Sequence, residues 1–134
     1  MRQLIDLRFL FRAIALVEGV YGLLCMLTPP SKILLVTGSV FVADGQWLVK
    51  LIGATLVSQA WVAWVLRNEP HLGVARALAF YQFAAATINW VMWIVLADQG
   101  IFSTALSQVS GVMSILFHYT LGILLVFAIR KHRA

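Results

Sequence analysis

Charged residues are scarce in this sequence, which has ten lysines and arginines and five aspartates and glutamates, together 11% of its residues. Soluble domains carry about 25% charged residues, whereas this chain is 62% apolar and has a mean hydropathy of +0.93. So few charges cannot cover a globule of 134 residues, which excludes a soluble domain. A membrane-spanning helix needs about 20 residues, so we expect four spans and no soluble catalytic domain.

Cysteine and catalytic motifs are also missing. Cys25 is the single cysteine, so the chain forms no internal disulfide and has no Cys-x-x-Cys metal site. Neither a phosphate-binding glycine loop nor a serine-hydrolase or zinc-protease motif occurs. The net charge of +5 does not indicate nucleic-acid binding, because that needs a basic patch on a water-facing surface. These absences favour a non-enzymatic protein, and we expect no catalytic residues, no metal site and no nucleic-acid partner.

Four apolar runs are long enough to cross a bilayer as helices, at residues 9–27, 47–66, 77–97 and 111–129. They predict an all-α fold, an integral-membrane four-helix bundle that forms a single transmembrane domain over 1–134. The first run follows a basic start, as in a signal peptide. However, it exceeds the 7–15 residues typical of a signal sequence and precedes no small-residue cleavage site. We therefore expect it to be a retained span.

The basic residues predict the orientation of the bundle. With the N-terminus inside, eight lysines and arginines lie on the inner side and two, Lys32 and Lys50, on the outer side. Because lysine and arginine are enriched in cytoplasmic loops, both termini are expected in the cytoplasm. The connections at 28–46 and 98–110 then lie outside, the first as a surface helix or short hairpin. Lys50 is expected to extend outward along its helix.

One polar residue in each predicted span lies near the middle of the membrane: Glu18, Gln59, Asn89 and His118. With a rise of 1.5 Å per residue, the four fall within roughly 4 Å of one depth. Small residues at helical spacing flank Glu18 and His118, which is typical of a packed interior face. Ionisable groups at this depth are costly and often functional. We predict that Glu18 points into the bundle, within hydrogen-bonding or water-bridged reach of Gln59, Asn89 or His118.

These residues are the candidate ligand-binding or proton sites, and each also has a structural explanation. Gln59 and Asn89, like Gln82 and Ser114, can simply hydrogen-bond one helix to another. Glu18 can be a protonated or paired carboxyl, or a proton or ligand site. His118 can be a core histidine, a ligand contact or the axial ligand of a tetrapyrrole, which makes it the candidate cofactor-binding residue.

Two segments resemble DoxX-like small bacterial membrane proteins. They are Glu-Gly-Val-Tyr-Gly-Leu at 18–23, leading into the prolines at 29 and 30, and His-Tyr-Thr-Leu-Gly-Ile-Leu at 118–124. The resemblance implies a four-span fold over the whole chain and a multi-pass location in the bacterial inner membrane. It also implies an accessory-subunit role, because some members are linked to quinone-coupled oxidation as membrane subunits. No catalytic residues transfer.

The leading functional hypothesis is a non-enzymatic accessory subunit of a larger respiratory or photosynthetic membrane complex, or a binder of small hydrophobic ligands. Its alanine-rich face at 84–86 and its aromatic residues Trp90 and Trp93 could receive a partner helix or a flat ligand. Quinone, carotenoid and tetrapyrrole are the candidate ligands. The alternatives are a proton-coupled small transporter that uses Glu18 and a membrane subunit of a quinone-linked oxidoreductase. Expected partners are the lipid bilayer and a membrane protein or a second copy of the chain.

Overall fold

The computed structural model describes residues 6–37, 43–96 and 104–133, and nearly all of these residues are helical. The α-helices are α1 (Leu7–Leu27), α2 (Ile33–Thr37), α3 (Ala43–Val65), α4 (Leu72–Leu96) and α5 (Ala105–Arg133), with a turn of 3-10 helix at Pro30–Lys32 before α2. Within the described ranges, α1, α3, α4 and α5 are long and apolar enough to cross a membrane. The predicted all-helical fold with four apolar helices is therefore confirmed.

The helices begin earlier than the apolar runs that predicted them. α3 starts at Ala43 rather than 47, α4 at Leu72 rather than 77, and α5 at Ala105 rather than 111. The runs were bounded by polar and charged residues such as Arg76, which mark the edge of the apolar region. A helix continues through such residues because many polar residues, arginine among them, form helices as readily as apolar ones do. The helices are therefore longer than the predicted membrane spans, which stay predictions.

The connection at 28–46 contains the 3-10 turn, the short helix α2 and the first turn of α3. A surface helix was one of its two predicted forms, and residues 38–42 lie outside the described residues. In the predicted connection at 98–110, α5 already begins at Ala105, and residues 97–103 are again outside the description.

α1 packs along α3, and α4 packs along α5, while α1 also contacts α5. The first pair is held at very short range by Gly22 and Gly53. A Cβ atom at Gly22 would lie 2.8 Å from the Gly53 carbonyl oxygen, and one at Gly53 would lie 2.7 Å from the Gly22 carbonyl oxygen. Because neither residue has a side chain, the two backbones touch, as in many membrane helix pairs.

The main apolar core lies at one end of the bundle and joins all four long helices. Its buried members include Leu7, Leu10, Phe11, Ile14, Ala63, Ala75, Leu78, Leu121, Leu125 and Ile129. This core brings together the start of α1, the end of α3, the start of α4 and the end of α5. The helices therefore alternate in direction, and both ends of the described chain lie at the same end of the bundle.

Many large apolar side chains remain exposed on the outside of the long helices. Leu27 of α1, Trp61 of α3, and Phe80 and Ile94 of α4 are the most exposed examples on these three helices. A soluble protein rarely exposes apolar surface on this scale. The surface is compatible with contact to a lipid bilayer, and four such helices suggest a multi-pass membrane protein.

Lys50 joins α3 to the C-terminal end of α1. Its Nζ donates a hydrogen bond to the carbonyl oxygen of Cys25 at 3.0 Å, and another to that of Thr28. The last carbonyls of a helix have no partner within the helix, and a cation there also complements the helix dipole. Lys50, which we expected to extend outward along its helix, thus ends on the main chain of α1.

Candidate functional site

Three polar side chains from three helices form a hydrogen-bonded series at the centre of the bundle. Gln82 Nε2 donates to Glu18 Oε1 over 2.5 Å, and Gln82 Oε1 lies 2.5 Å from His118 Nδ1. α1 supplies the carboxyl, α4 the amide and α5 the imidazole. We call Glu18, Gln82 and His118 the midplane triad.

The midplane triad lies at the middle of its helices. Glu18 is one residue past the midpoint of α1, Gln82 is two residues before that of α4, and His118 is one residue before that of α5. At 1.5 Å of rise per residue, each is within about 3 Å of the centre of its helix. If the helices span a bilayer, the triad lies close to its midplane.

The spacing of apolar residues explains why Glu18 and Gln82 face inward. The buried residues of α1 recur every three or four positions and include Ile14, Glu18 and Gly22. On α4, Gln82 lies in the same way between the buried Leu78 and Ala86. Each polar residue therefore belongs to the stripe that packs inside the bundle. Glu18 is 3% exposed and Gln82 is fully buried, whereas His118 is partly buried.

The orientation of the Gln82 amide determines which groups of the midplane triad donate hydrogen bonds and which accept them. With its nitrogen towards Glu18 and its oxygen towards His118, the carboxyl accepts and Nδ1–H of the imidazole must donate. Turning the amide over reverses both bonds: a protonated Glu18 then donates to the amide oxygen, and the amide nitrogen donates to an unprotonated Nδ1. The triad is complete in either direction, so a proton can be held at either end.

Aromatic rings orient the imidazole of His118. The Tyr81 ring meets it edge-on with centroids 6.0 Å apart, and the Phe117 ring does so at 5.6 Å. Edge-to-face contact is a favoured aromatic geometry. Because Gln82 engages Nδ1, Nε2 is the ring nitrogen that remains to exchange a proton or meet a ligand.

Two buried oxygens near this level have no hydrogen-bond partner among the described residues: Glu18 Oε2 and Gln59 Oε1. The residues that follow them in sequence, Gly19 and Ala60, are in contact, since a Cβ at Gly19 would be 3.3 Å from the Cβ of Ala60. Glu18 and Gln59 therefore lie at the same height along the α1–α3 pair. A buried acceptor without a donor costs about 1–3 kcal/mol. A proton on Glu18 Oε2 would convert one of the two acceptors into a donor.

Asn89 lies outside the midplane triad. Its Nδ2 donates to Ser114 Oγ at 3.1 Å and joins α4 to α5. Asn89 lies seven residues beyond Gln82 on α4, about 10.5 Å along the helix axis. The structure therefore joins Glu18 to His118 through Gln82 and does not bring Asn89 into this group.

Gln82 is the member of the triad that the sequence did not single out as a candidate site. The predicted span at 77–97 placed it close to one end, where an amide serves as an ordinary hydrogen bond between helices. Its spacing with Leu78 and Ala86 was the available signal, once the helix is known to begin at Leu72.

The described part of the chain contains no group of three or more histidine, cysteine, aspartate or glutamate side chains that could hold a metal ion. Comparisons with protein-family models, curated proteins and solved structures find no match to this chain.

Proposed function

We propose that this protein is a multi-pass membrane protein that exchanges protons at the midplane triad and couples this exchange to the transport of a small solute. The observation that carries the proposal is the position of Gln82, whose amide bonds to Glu18 on one side and to His118 on the other. Carboxyl and imidazole groups inside a membrane are the usual members of proton relays.

The packing of the helices supports coupling to a movement. α1 and α3 form one pair through the Gly22–Gly53 contact, and α4 and α5 form the other. The Gln82–Glu18 bond runs between the two pairs. Protonation of Glu18 changes the bonds that the carboxyl can make, so it alters a contact between the pairs. Many transporters work by rocking one bundle against another around a central site.

Proteoliposomes that contain a pH-sensitive dye test the proposal. An inward proton gradient is imposed in the presence of a panel of amino acids, organic acids, sugars and cations, and acidification of the interior is recorded. We expect acidification that depends on one solute class in the wild type and is lost in Glu18→Gln. Asn89→Ser is the matched control, because it changes an amide outside the triad, and it should retain flux. Equal flux in wild type and Glu18→Gln would contradict the proposal.

An accessory-subunit role in a respiratory or photosynthetic complex is the second candidate. Trp90 and Trp93 on α4 form an aromatic pair with centroids 6.4 Å apart, and Trp90 is 48% exposed. Aromatic side chains of this kind are enriched at protein interfaces. Extraction in a gentle detergent should then recover the chain in a larger complex, and Trp90→Ala should weaken it. Recovery of the chain alone would count against this role.

A bound quinone, carotenoid or tetrapyrrole is a third candidate, favoured by Nε2 of His118, the ring nitrogen that Gln82 does not engage. A histidine that ligates a metal usually donates its other ring nitrogen to a carbonyl or carboxylate, as Nδ1 does here to Gln82. An absorption spectrum of the gently extracted protein tests for a pigment or haem, and lipid extraction with chromatography tests for a quinone. A visible band that His118→Gln abolishes would favour a tetrapyrrole.

We also propose that the chain lies in the bacterial inner membrane with both ends in the cytoplasm. Its motifs resemble the DoxX-like group, and we propose that it is a member. The eight-to-two division of basic residues supports the orientation. The position of Leu7 and Ile129 in one core cluster agrees with two ends on the same side.

A further inference from the structure

A groove between α4 and α5 opens at the end of the bundle where α4 begins and α5 ends. It is lined by Arg76, Phe80 and Phe83 of α4 and by Val126, Ile129 and Arg130 of α5, and we call it the arginine groove. Its volume of about 330 Å³ is at the lower end of the ~300–1,000 Å³ range of ligand pockets.

The helical spacing separates the groove into a charged end and an apolar floor. Arg76, Phe80 and Phe83 are four and three residues apart, so they lie on one face of α4. Phe83 closes the floor towards the middle of the bundle, where its ring atoms lie 3.1 Å from the position of a Cβ at Gly122. The phenyl ring of Phe80 is 75% exposed. The groove therefore offers two guanidinium groups at its mouth and about 10.5 Å of apolar surface below them.

The two arginines of the groove differ from other arginines at the same end of the bundle. Arg12 donates from Nη2 to Asn68 Oδ1 at 3.2 Å. Arg67 stacks over Trp64 at 4.0 Å and donates to its carbonyl oxygen. Arg76 and Arg130, which are also exposed, instead line the groove from two facing helices. They therefore place two positive charges at its mouth.

We propose that the arginine groove binds an anionic phospholipid. Its phosphate lies between Arg76 and Arg130, and the first segment of an acyl chain lies over Phe80 and Phe83. Guanidinium groups bind phosphate oxygens through paired charge-assisted hydrogen bonds. Basic pockets between membrane helices on the cytoplasmic side are suited to anionic headgroups. The apolar floor favours a lipid over free phosphate, because an acyl chain attached to the phosphate contacts Phe80 and Phe83 while free phosphate contacts neither.

Lipid binding to the whole protein in detergent tests this inference. Phosphatidylglycerol and phosphatidylcholine with identical acyl chains are titrated, and binding is followed by native mass spectrometry and by the thermal unfolding midpoint. The test variant is Arg76→Gln with Arg130→Gln. The control, Arg8→Gln with Lys131→Gln, removes two exposed charges from the same end of the bundle but outside the groove. Sodium phosphate alone is the third probe.

We expect the wild type to prefer phosphatidylglycerol and to gain thermal stability from it. A basic residue near an anionic lipid surface contributes about fivefold in affinity, so the double groove variant should bind about 25-fold more weakly. The control variant should keep wild-type affinity. Equal binding of the two lipids by the wild type, an equal loss in both variants, or the same stabilisation by phosphate alone would each overturn the proposal. Native mass spectrometry of the wild type measures the preference for phosphatidylglycerol over phosphatidylcholine without any variant. This part of the test therefore holds even if a variant misfolds.

Discussion

Gln82 and Glu18 are 64 residues apart in sequence, and their side chains form a buried hydrogen bond of 2.5 Å. The bond connects α4 of one helix pair to α1 of the other. An amide can donate and accept at the same time, so Gln82 also reaches His118. This single side chain therefore determines whether the carboxyl and the imidazole communicate.

Replacing Gln82 by leucine should destabilise the protein more than replacing Asn89 by leucine. The apolar side chain leaves Glu18 Oε1 and His118 Nδ1 without partners, and each buried orphan costs about 1–3 kcal/mol. Asn89→Leu is the comparison, because it breaks the one bond to Ser114. Thermal unfolding in detergent measures both. A smaller loss for Gln82→Leu than for Asn89→Leu would show that the triad adds little to stability.

The glycine contact between α1 and α3 predicts opposite effects for two Gly→Ala changes. At Gly22 a methyl group would lie 2.8 Å from a main-chain oxygen of α3, so the helices must separate, at a cost of about 1–3 kcal/mol. At Gly73 the nearest atoms belong to the His71 side chain, which can move. Alanine there should be neutral or stabilising by up to ~1 kcal/mol. Equal unfolding midpoints of the two variants would contradict the close contact.

Lys50→Met should loosen the end of α1 locally. The change removes the hydrogen bonds from Nζ to the carbonyl oxygens of Cys25 and Thr28, so this turn loses its cap. We expect faster amide hydrogen exchange at residues 24–28 and wild-type exchange near Ile14, because the main core is untouched. Lys32→Met, which alters an exposed lysine nearby, is the control. Unchanged exchange at 24–28 would refute the capping role.

The predicted orientation can be tested by cysteine labelling with a membrane-impermeant reagent. In a Cys25→Ala background, a cysteine at the exposed Ser31 should react in intact cells, and one at the exposed Asn68 should react only after lysis. The two positions lie at opposite ends of the bundle, since Ser31 follows α1 and Asn68 follows α3. The reverse pattern would place both ends of the chain outside.

Hydropathy predicted the number of long helices because each of them contains one apolar run of about 20 residues, the length that crosses a membrane. It did not predict their ends, since helices continue past residues such as Arg76 that mark the limit of an apolar run. Gln82 therefore lay five residues from the midpoint of the predicted span, whereas it lies two residues from the midpoint of α4. Glu18 and His118 were recognisable as costly groups, but which amide joins them depends on how the helices pack. The same holds for Gly53, whose role becomes visible only opposite Gly22.

The direction of the hydrogen bonds in the midplane triad predicts which ring nitrogen of His118 carries a proton. With Gln82 Nε2 donating to Glu18, Nδ1 of His118 must carry a proton, and Nε2 is the nitrogen that gains one on acidification. Nitrogen NMR of protein with labelled histidine reports the two ring nitrogens separately, and the spectrum of His118→Gln identifies the His118 signals. We expect a protonated, hydrogen-bonded Nδ1 in the wild type and loss of that hydrogen-bond signature in Gln82→Leu. An unprotonated Nδ1 would contradict this arrangement, because the amide would then be reversed and the proton would be on Glu18. Either spectrum shows which way the Gln82 amide points, and therefore which end of the triad donates to it.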